Sequence, residues 1–300
     1  MMIPGHQKGQ NLRIQVLAGG ISHERDISLK SGRRVADALT DAGATVIIRE
    51  PDENLLKHIA EDAPDVIWPT LHGASGEDGA LREILALTSV PFVGAGADGS
   101  RLAWDKSIAK ILASRTGVQT PASVTLPKDT FRELDAESVL AQVSRHISFP
   151  VVVKPARSGS AQGVTIVEDP AHLSRAMIDA YVYCDVAIIE KYVAGTELAV
   201  TVINQGAGPI ALPAVEIEPT GGHFGYDERV TAGEVNDYVP ARLDQGILDK
   251  AAKIAVKIHD ELGLRHMSRV DLIVDENGVA WFLEVNVAPG LTETSLAPQA

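Results

Sequence analysis

The chain has 300 residues, 45% of them hydrophobic and 22% charged, an ordinary water-soluble composition with length for about two domains. A formal net charge of −13 excludes a broad nucleic-acid footprint, which needs a basic surface, but leaves room for one nucleotide held by a few local Lys and Arg side chains. The single cysteine, Cys184, excludes an intrachain disulfide and a cysteine metal cluster; the polar opening stretch and the absence of a membrane-length apolar run predict a cytoplasmic setting.

Strand and helix signals alternate over the first hundred residues. An apolar run at 14–18 ends in Gly19-Gly20, and a helix follows with Val35, Ala38 and Leu39 on one face. Then come a strand at 45–48, a helix at 53–60, a strand at 65–69 and a helix at 80–87. This alternation predicts a parallel sheet flanked by helices, with ligands at the loops that follow the strands. Two polar, glycine-containing loops fall there, 19–25 and 72–79. They offer Glu24, His72 and Glu77 to orient a small zwitterionic substrate, with a solvated or structural loop residue as the plain alternative for each. Gly94-Ala95-Gly96-Ala97-Asp98-Gly99 fits G-x-G-x-x-G, but the acidic residue needed about 20 positions on is missing, so the run is read as a flexible connection.

One helix is expected over 100–115, and then the pattern changes. Strands at 151–154 and 163–167 flank a loop, and a helix at 172–181 leads to an apolar strand at 186–192, a small α+β unit. Within the loop, Ser158-Gly159-Ser160-Ala161-Gln162-Gly163 follows Lys154; small residues let backbone N–H groups approach phosphate oxygens, and Lys154 adds positive charge, the alternative being a glycine-rich hairpin that holds no phosphate. The last segment holds further strands, a polar stretch at 220–237, and a helix with Ile247, Leu248, Ala251, Ala255, Ile258 and Leu262 at the 3.6 period.

A hairpin closes the sequence at 267–286 around Asn277-Gly278. With these as a two-residue turn, Asp271 falls opposite Glu284 and Arg269 opposite Asn286, all four on one face. Opposed carboxylates repel unless a cation lies between them or one is protonated. Oxygen donors without His or Cys point to magnesium rather than zinc. The plain alternative is an exposed face with scattered charge, and a three-residue turn would break the parity.

These segments, in order, resemble a D-alanine–D-alanine ligase of the ATP-grasp superfamily from about residue 13 onward. The matching pieces are Gly19-Gly20-Ile21-Ser22-His23-Glu24-Arg25, His72-Gly73 with Gly76-Glu77-Asp78-Gly79, Trp104-Asp105-Lys106, and Val153-Lys154-Pro155 with Gly159-Ser160. Glu190-Lys191-Tyr192-Val193 with Glu197, Arg269-Val270-Asp271, Glu284-Val285-Asn286, and Pro289-Gly290-Leu291-Thr292 with Ser295-Leu296 complete the set.

The resemblance implies an α/β and α+β, three-domain ATP-grasp fold: an N-terminal parallel-sheet substrate domain (1–98), a central domain (99–195) and a C-terminal domain carrying the metal hairpin (196–300). It implies an ATP-dependent carboxylate–amine ligase of peptidoglycan precursor synthesis that joins two D-alanines through an acyl phosphate. Lys106 and Lys154 would contact ATP phosphates, Glu190, Lys191 and Val193 would frame adenine, and Glu197 would take the ribose. Asp271, Glu284 and Asn286 would bind two magnesium ions, or manganese. Glu24 would hold the first substrate's ammonium beside Ser160; His72, Ser295 and Leu296 would line the substrate site, with Ser295 on the second carboxylate. Arg269 and the Gly290 N–H would steady the oxyanion. A homodimer acting on small molecules, with no nucleic acid or membrane partner, is implied as well.

The sequence departs from the family at 224–230, where Arg229 replaces a usual Lys and Val230 a usual Tyr, and at Ala161, usually Ser. The Tyr hydroxyl closes a lid over Glu24 and Ser160 in the family, so Val230 keeps a second reading open: another acceptor, such as D-lactate or D-serine. A nucleotide-binding regulator without turnover is a third. The sequence also ends just after Ser295-Leu296, where the family continues into a final helix.

Overall fold

The apolar pentapeptide Arg13–Leu17 forms β1, with Ile14, Val16 and Leu17 buried. The computed structural model describes residues 11–219 and 235–300. β2 (Thr45–Arg49) and β3 (Val66–Pro69) flank β1 in parallel, giving the order β2-β1-β3. Neighbouring side chains on a strand point to opposite faces. Val16 therefore packs with Val35 and Ala36 of α1 (Arg25–Asp41), and Leu17 with Leu55 and Ile59 of α2 (Leu55–Asp62). Beyond the short α3 (Ala74–Glu77), α4 (Ala80–Leu87) adds Leu85 to the second face. Gly32 lets α1 approach the sheet, since a Cβ there would stand 2.4 Å from the Ala18 Cβ. The predicted parallel sheet between helices is present.

The glycine run 94–99 is anchored rather than a loose connection. The Gly94 N–H donates to His266 Nδ1 (2.9 Å), Arg265 Nε donates to the Gly94 carbonyl (3.2 Å), and a Cβ at Gly99 would lie 2.8 Å from the Leu262 carbonyl. The single helix expected at 100–115 is two, α5 (Ala97–Trp104) and α6 (Lys106–Arg115). Asp105 between them is extended, and its carboxylate accepts from the N–H groups of Ser107 and Ile108, an N-cap that starts a new helix.

β4 (Ser123–Pro127), α7 (Lys128–Glu133) and α8 (Ala136–His146) fill a stretch where the sequence reading has no element. Their strongest signal is the helical spacing of Val139, Leu140 and Val143. With β5 (Val151–Pro155), β6 (Thr165–Val167), α9 (Leu173–Tyr181) and β7 (Val186–Lys191) they build an antiparallel sheet ordered β4-β7-β5-β6. One core joins Leu140 and Val143 to Val151, Val153, Met177 and Ile189.

The third sheet runs β11-β10-β8-β12-β13, with β9 also paired to β8. Its strands are β8 (Thr196–Asn204), β9 (Pro209–Ala211), β10 (Val215–Pro219), β11 (Val235–Tyr238), β12 (Met267–Val274) and β13 (Ala280–Asn286). α10 (Gln245–Glu261) packs Ala251, Ala255 and Ile258 onto Leu198, Val200, Leu272 and Phe282, and α11 (Leu296–Gln299) follows the sheet. Ala103 of α5 and Ala109 and Ala113 of α6 belong to this same core. The two helices that precede the middle sheet in the chain thus pack on the third. The lid-loop positions 224–230, with Arg229 and Val230, lie outside the described residues.

The closing hairpin reaches its expected pairing by an unexpected route. Val274 pairs with Ala280, and the Asp275 N–H donates to the Val279 carbonyl (3.0 Å), leaving Glu276, Asn277 and Gly278 as a three-residue turn. The Asp275 carboxylate accepts from the N–H groups of Asn277 (2.9 Å) and Val279 (3.0 Å), which favours the longer turn. That extra residue alone would shift β13 by one and turn Glu284 away from Asp271. A bulge reverses the shift: Leu272 pairs with Phe282 but Asp271 with Glu284, leaving Leu283 as the extra residue. Arg269 then faces Asn286, as the sequence predicts.

Candidate active site

A slot opens between the middle and third sheets. Val152 and Ile166 form one apolar wall, Ile273 and Leu283 the other, so the bulged residue is itself part of the lining. Its lining also includes Lys106, Lys154, Glu190, Lys191, Val193 and Glu197, the six positions expected to hold a nucleotide, together with Asp271 and Glu284. A wider groove adjoins it, lined by Glu24, His72, Ser160, Arg269, Asn286, Gly290, Ser295 and Leu296. Glu284 borders both cavities. Every expected site residue lies on one cavity or the other.

Strand ends and loop backbone position the cationic and small residues. Lys154 and Glu190 come from the neighbouring strands β5 and β7, and the Lys154 ammonium lies 2.6 Å from Glu190 Oε1. Lys110, one turn beyond Lys106 on α6, reaches Glu190 Oε2 at 2.5 Å. Burial alone would raise the Glu190 carboxyl, but Lys154 and Lys110 outweigh it and hold it below the usual carboxylate range. Burial lowers the Lys110 ammonium. In the loop after β5, Ser160 and Ala161 are left-handed at φ +49° and +55°, the central pair of a tight turn that the Gln162 N–H closes on the Gly159 carbonyl (3.1 Å). Ser160 Oγ donates to Glu24 Oε1 (2.5 Å), so this loop touches the end of α1. The Lys106 ammonium donates to the Ser158 carbonyl (2.6 Å) and lies 3.1 Å from Glu284.

On the hairpin, the Arg269 guanidinium makes two 2.8 Å bonds to Asp271, and Asn286 Nδ2 donates to the same carboxylate (3.2 Å). Burial opposes the charge on Arg269, but Asp271 outweighs it and Arg269 stays cationic. The repulsion between the opposed carboxylates is thus relieved by two cations of the chain, Arg269 on Asp271 and Lys106 on Glu284. For a divalent ion, Asp271, Glu284 and Asn286 offer two carboxylates in register and an amide, all hard oxygen donors, which suits magnesium. Among the described residues no cluster of three or more His, Cys, Asp and Glu could hold a metal. The remaining coordination would fall to water and phosphate, as is usual for this ion.

His72, in the loop after β3, is buried and ties the N-terminal unit to the loop after β13. Its Nδ1–H donates to the Ala288 carbonyl (2.9 Å), so its Nε2 accepts from Ser31 Oγ (3.2 Å), which in turn accepts the Leu291 N–H (3.1 Å). Burial lowers the pKa of this imidazole, in keeping with that neutral tautomer. The loop so held carries Gly290, where a Cβ would come within 2.7 Å of Ser295 Oγ. Ser295 Oγ also accepts the Thr292 N–H (3.0 Å). Glu77 is buried beside these groups; burial first, then the nearby Glu24, pushes its carboxyl up to about 7.

Two contributors escaped the sequence reading. Lys110 follows Lys106 by four residues and shares its buried face, a spacing that marks one side of a helix. Ser31 stands with Ser28, Gly32 and Val35 on the buried stripe of α1, where a small polar residue among core positions was the available signal.

With this geometry in view, comparison with known proteins is specific. Residues 112–300 match the family model described as D-ala D-ala ligase C-terminus. The D-alanine–D-alanine ligase of Bordetella petrii is 34% identical, over 96% of this chain and 86% of that protein. The corresponding ligase of Gloeobacter violaceus is 36% identical, over 96% and 93%. Among solved structures, the VanG D-Ala:D-Ser ligase from Enterococcus faecalis matches with a TM-score of 0.82 at 29% identity, over 96% of this chain and 94% of that one. The Bacillus anthracis D-alanine–D-alanine ligase complexed with ATP matches at 0.75 and 27%, over 96% and 89%.

Proposed function

The chain belongs to the D-alanine–D-alanine ligase family, and from that premise we propose that it joins two D-alanines at the expense of ATP, for peptidoglycan precursor synthesis. The observation that carries this is the meeting of slot and groove at Glu284, which would set a nucleotide's terminal phosphate against a substrate carboxylate.

In this proposal Lys106 and Lys154 hold the phosphates, while Glu190, Lys191 and Val193 surround adenine between the apolar walls. Glu197 takes the ribose. Glu24, steadied by Ser160, binds the first substrate's ammonium; His72 holds the loop around that site, and Ser295 with Leu296 receives the second carboxylate. The first carboxylate oxygen attacks the γ-phosphorus and ADP leaves. The second substrate's neutral amine then attacks the acyl-phosphate carbonyl; phosphate departs, and the amine's extra proton is lost. Arg269 and the Gly290 N–H would stabilise the tetrahedral oxyanion, worth about 3 kcal/mol per donor. Asp271, Glu284 and Asn286 would hold magnesium, which would supply positive charge to offset that of the transferring phosphoryl group.

The same proposal takes the enzyme as three domains (1–98, 99–195 and 196–300), cytoplasmic and homodimeric, with two magnesium ions and manganese able to replace them. No described helix is long and apolar enough to cross a membrane. A second reading, transfer to D-lactate or D-serine, is favoured by Val230 and by the likeness to a D-Ala:D-Ser ligase. Magnesium-dependent phosphate release from ATP, with D-alanine alone and then with D-lactate, D-serine or L-amino acids added, tests both. Turnover with D-alanine alone is expected. Turnover only with another acceptor would move the assignment to the second reading, and no turnover with any would end both.

A further inference from the structure

We propose that Lys110 is a positioning residue for the nucleotide: a buried counter-cation that holds Glu190 so that Lys154 can turn from Glu190 to phosphate. The inference rests on the reading of the slot as the ATP site. Glu190, Lys110 and Lys154 are all buried, and they share one carboxylate between two ammonium groups, Lys154 on Oε1 at 2.6 Å and Lys110 on Oε2 at 2.5 Å. Lys154 and Glu190 border the slot, whereas Lys110 reaches Glu190 from α6 behind it. A triphosphate entering the slot would draw Lys154 away. With Lys154 as its only partner, Glu190 would then be a buried carboxylate without a counter-charge, which is strongly unfavourable. Lys110 removes that penalty, because the Glu190–Lys110 pair survives the movement.

Among the described residues, the surrounding charges offer no substitute. On α6, Lys106 is engaged by Glu284 and by the Ser158 carbonyl. The other carboxylates on the slot, Glu197 on β8, Asp271 on β12 and Glu284 on β13, carry the same sign as Glu190. Lys191, next along β7, is exposed. Among the described residues, Lys110 is the cation against Glu190 that the nucleotide does not reach.

Steady-state kinetics, calorimetric ATP binding and circular dichroism on the full chain test this with Lys110→Met, Lys110→Gln and Lys110→Arg. The neutral variants should raise the KM for ATP on the order of tenfold or more, with a smaller change in kcat. ATP binding to them should take up a proton, seen as a heat that depends on the buffer's ionisation enthalpy, since Glu190 protonates once Lys154 leaves it. Wild type and Lys110→Arg should bind without that uptake. The Gln variant keeps a donor to Glu190 without its charge, and supplies the neutral case should the Met variant fail to fold. Unchanged affinity without proton uptake in a neutral variant would overturn the proposal. So would equal losses in every parameter that Arg does not rescue. Lys154→Met separates the two levels: if ATP binds it normally, the nucleotide reading of the slot has failed; if it weakens binding while the Lys110 variants do not, only the role of Lys110 has.

Discussion

Replacing Glu77 with Gln removes a buried carboxyl that burial and the neighbouring Glu24 push up to about 7. In the unfolded chain the same group gives up its proton near its ordinary value of 4.5. Between those values the folded protein holds more protons than the unfolded chain, so raising the pH favours unfolding. The gap from 4.5 to about 7, at roughly 1.4 kcal/mol per pH unit, comes to about 3 kcal/mol lost by pH 8. Most of that falls between pH 5 and pH 8. Gln retains an acceptor for the Gly73 N–H, which now donates to Glu77 Oε1 at 3.0 Å, so the local turn keeps its hydrogen bond. His72 acts in the opposite sense: burial lowers its pKa, so its contribution to stability is lost as pH falls through the ordinary imidazole range. It is common to both proteins and cancels in their difference. Urea unfolding at half-unit steps from pH 5 to pH 8 measures that difference directly. The variant should gain on wild type steadily as the pH rises. Parallel stability curves would refute the placement of Glu77 as a buried, proton-holding group.

Asp271→Asn takes a counter-charge from the buried Arg269 and should lower stability; at a temperature where circular dichroism shows it folded, magnesium-dependent turnover should still fall by about a hundredfold or more, and undiminished activity would remove Asp271 from the metal site. Gly159→Ala would place a Cβ 2.8 Å from Glu24 Oε2 and 3.1 Å from Oε1, forcing that carboxylate off Ser160. The KM for the first amino acid should rise about tenfold at an unchanged KM for ATP, as expected when one ground-state contact is lost; a KM left at its wild-type value would separate Glu24 from substrate binding.

Much of the site was legible because its residues lie next to punctuation that sequence displays. Lys154 precedes a glycine-rich loop, Glu24 follows Gly19-Gly20, and the carboxylates of the hairpin flank Asn277-Gly278. The hairpin also shows how a correct pairing can hide its cause. Parity counting through a two-residue turn reaches Asp271 opposite Glu284, whereas the chain uses a three-residue turn and a compensating bulge at Leu283. Turn length and bulge are set by side-chain acceptors such as Asp275 and by strand packing, neither of which periodicity reports. The stretch that forms β4, α7 and α8 was missed for a related reason. Its strand is short and alternating, and the Asp135 cap that starts α8 is a single polar residue, no different in sequence from one in a loop.

Local pattern was enough for the parallel sheet of the first three strands, the glycine-rich loop after Lys154 and the opposed carboxylates of the hairpin. These follow from strand alternation, glycine placement and side-chain chemistry, which act over a few residues. Contacts across long separations were not contained in it. Ser160 on Glu24 spans 136 positions, His72 on Ala288 spans 216, and Ser31 on Leu291 spans 260. Which buried lysine faces which carboxylate depends on the packing of α6 against the strands, and a chain written in one dimension carries no record of that distance. Packing likewise raises Glu77 and holds Glu190 ionised, because burial and neighbouring charge, rather than residue type, decide where a proton resides.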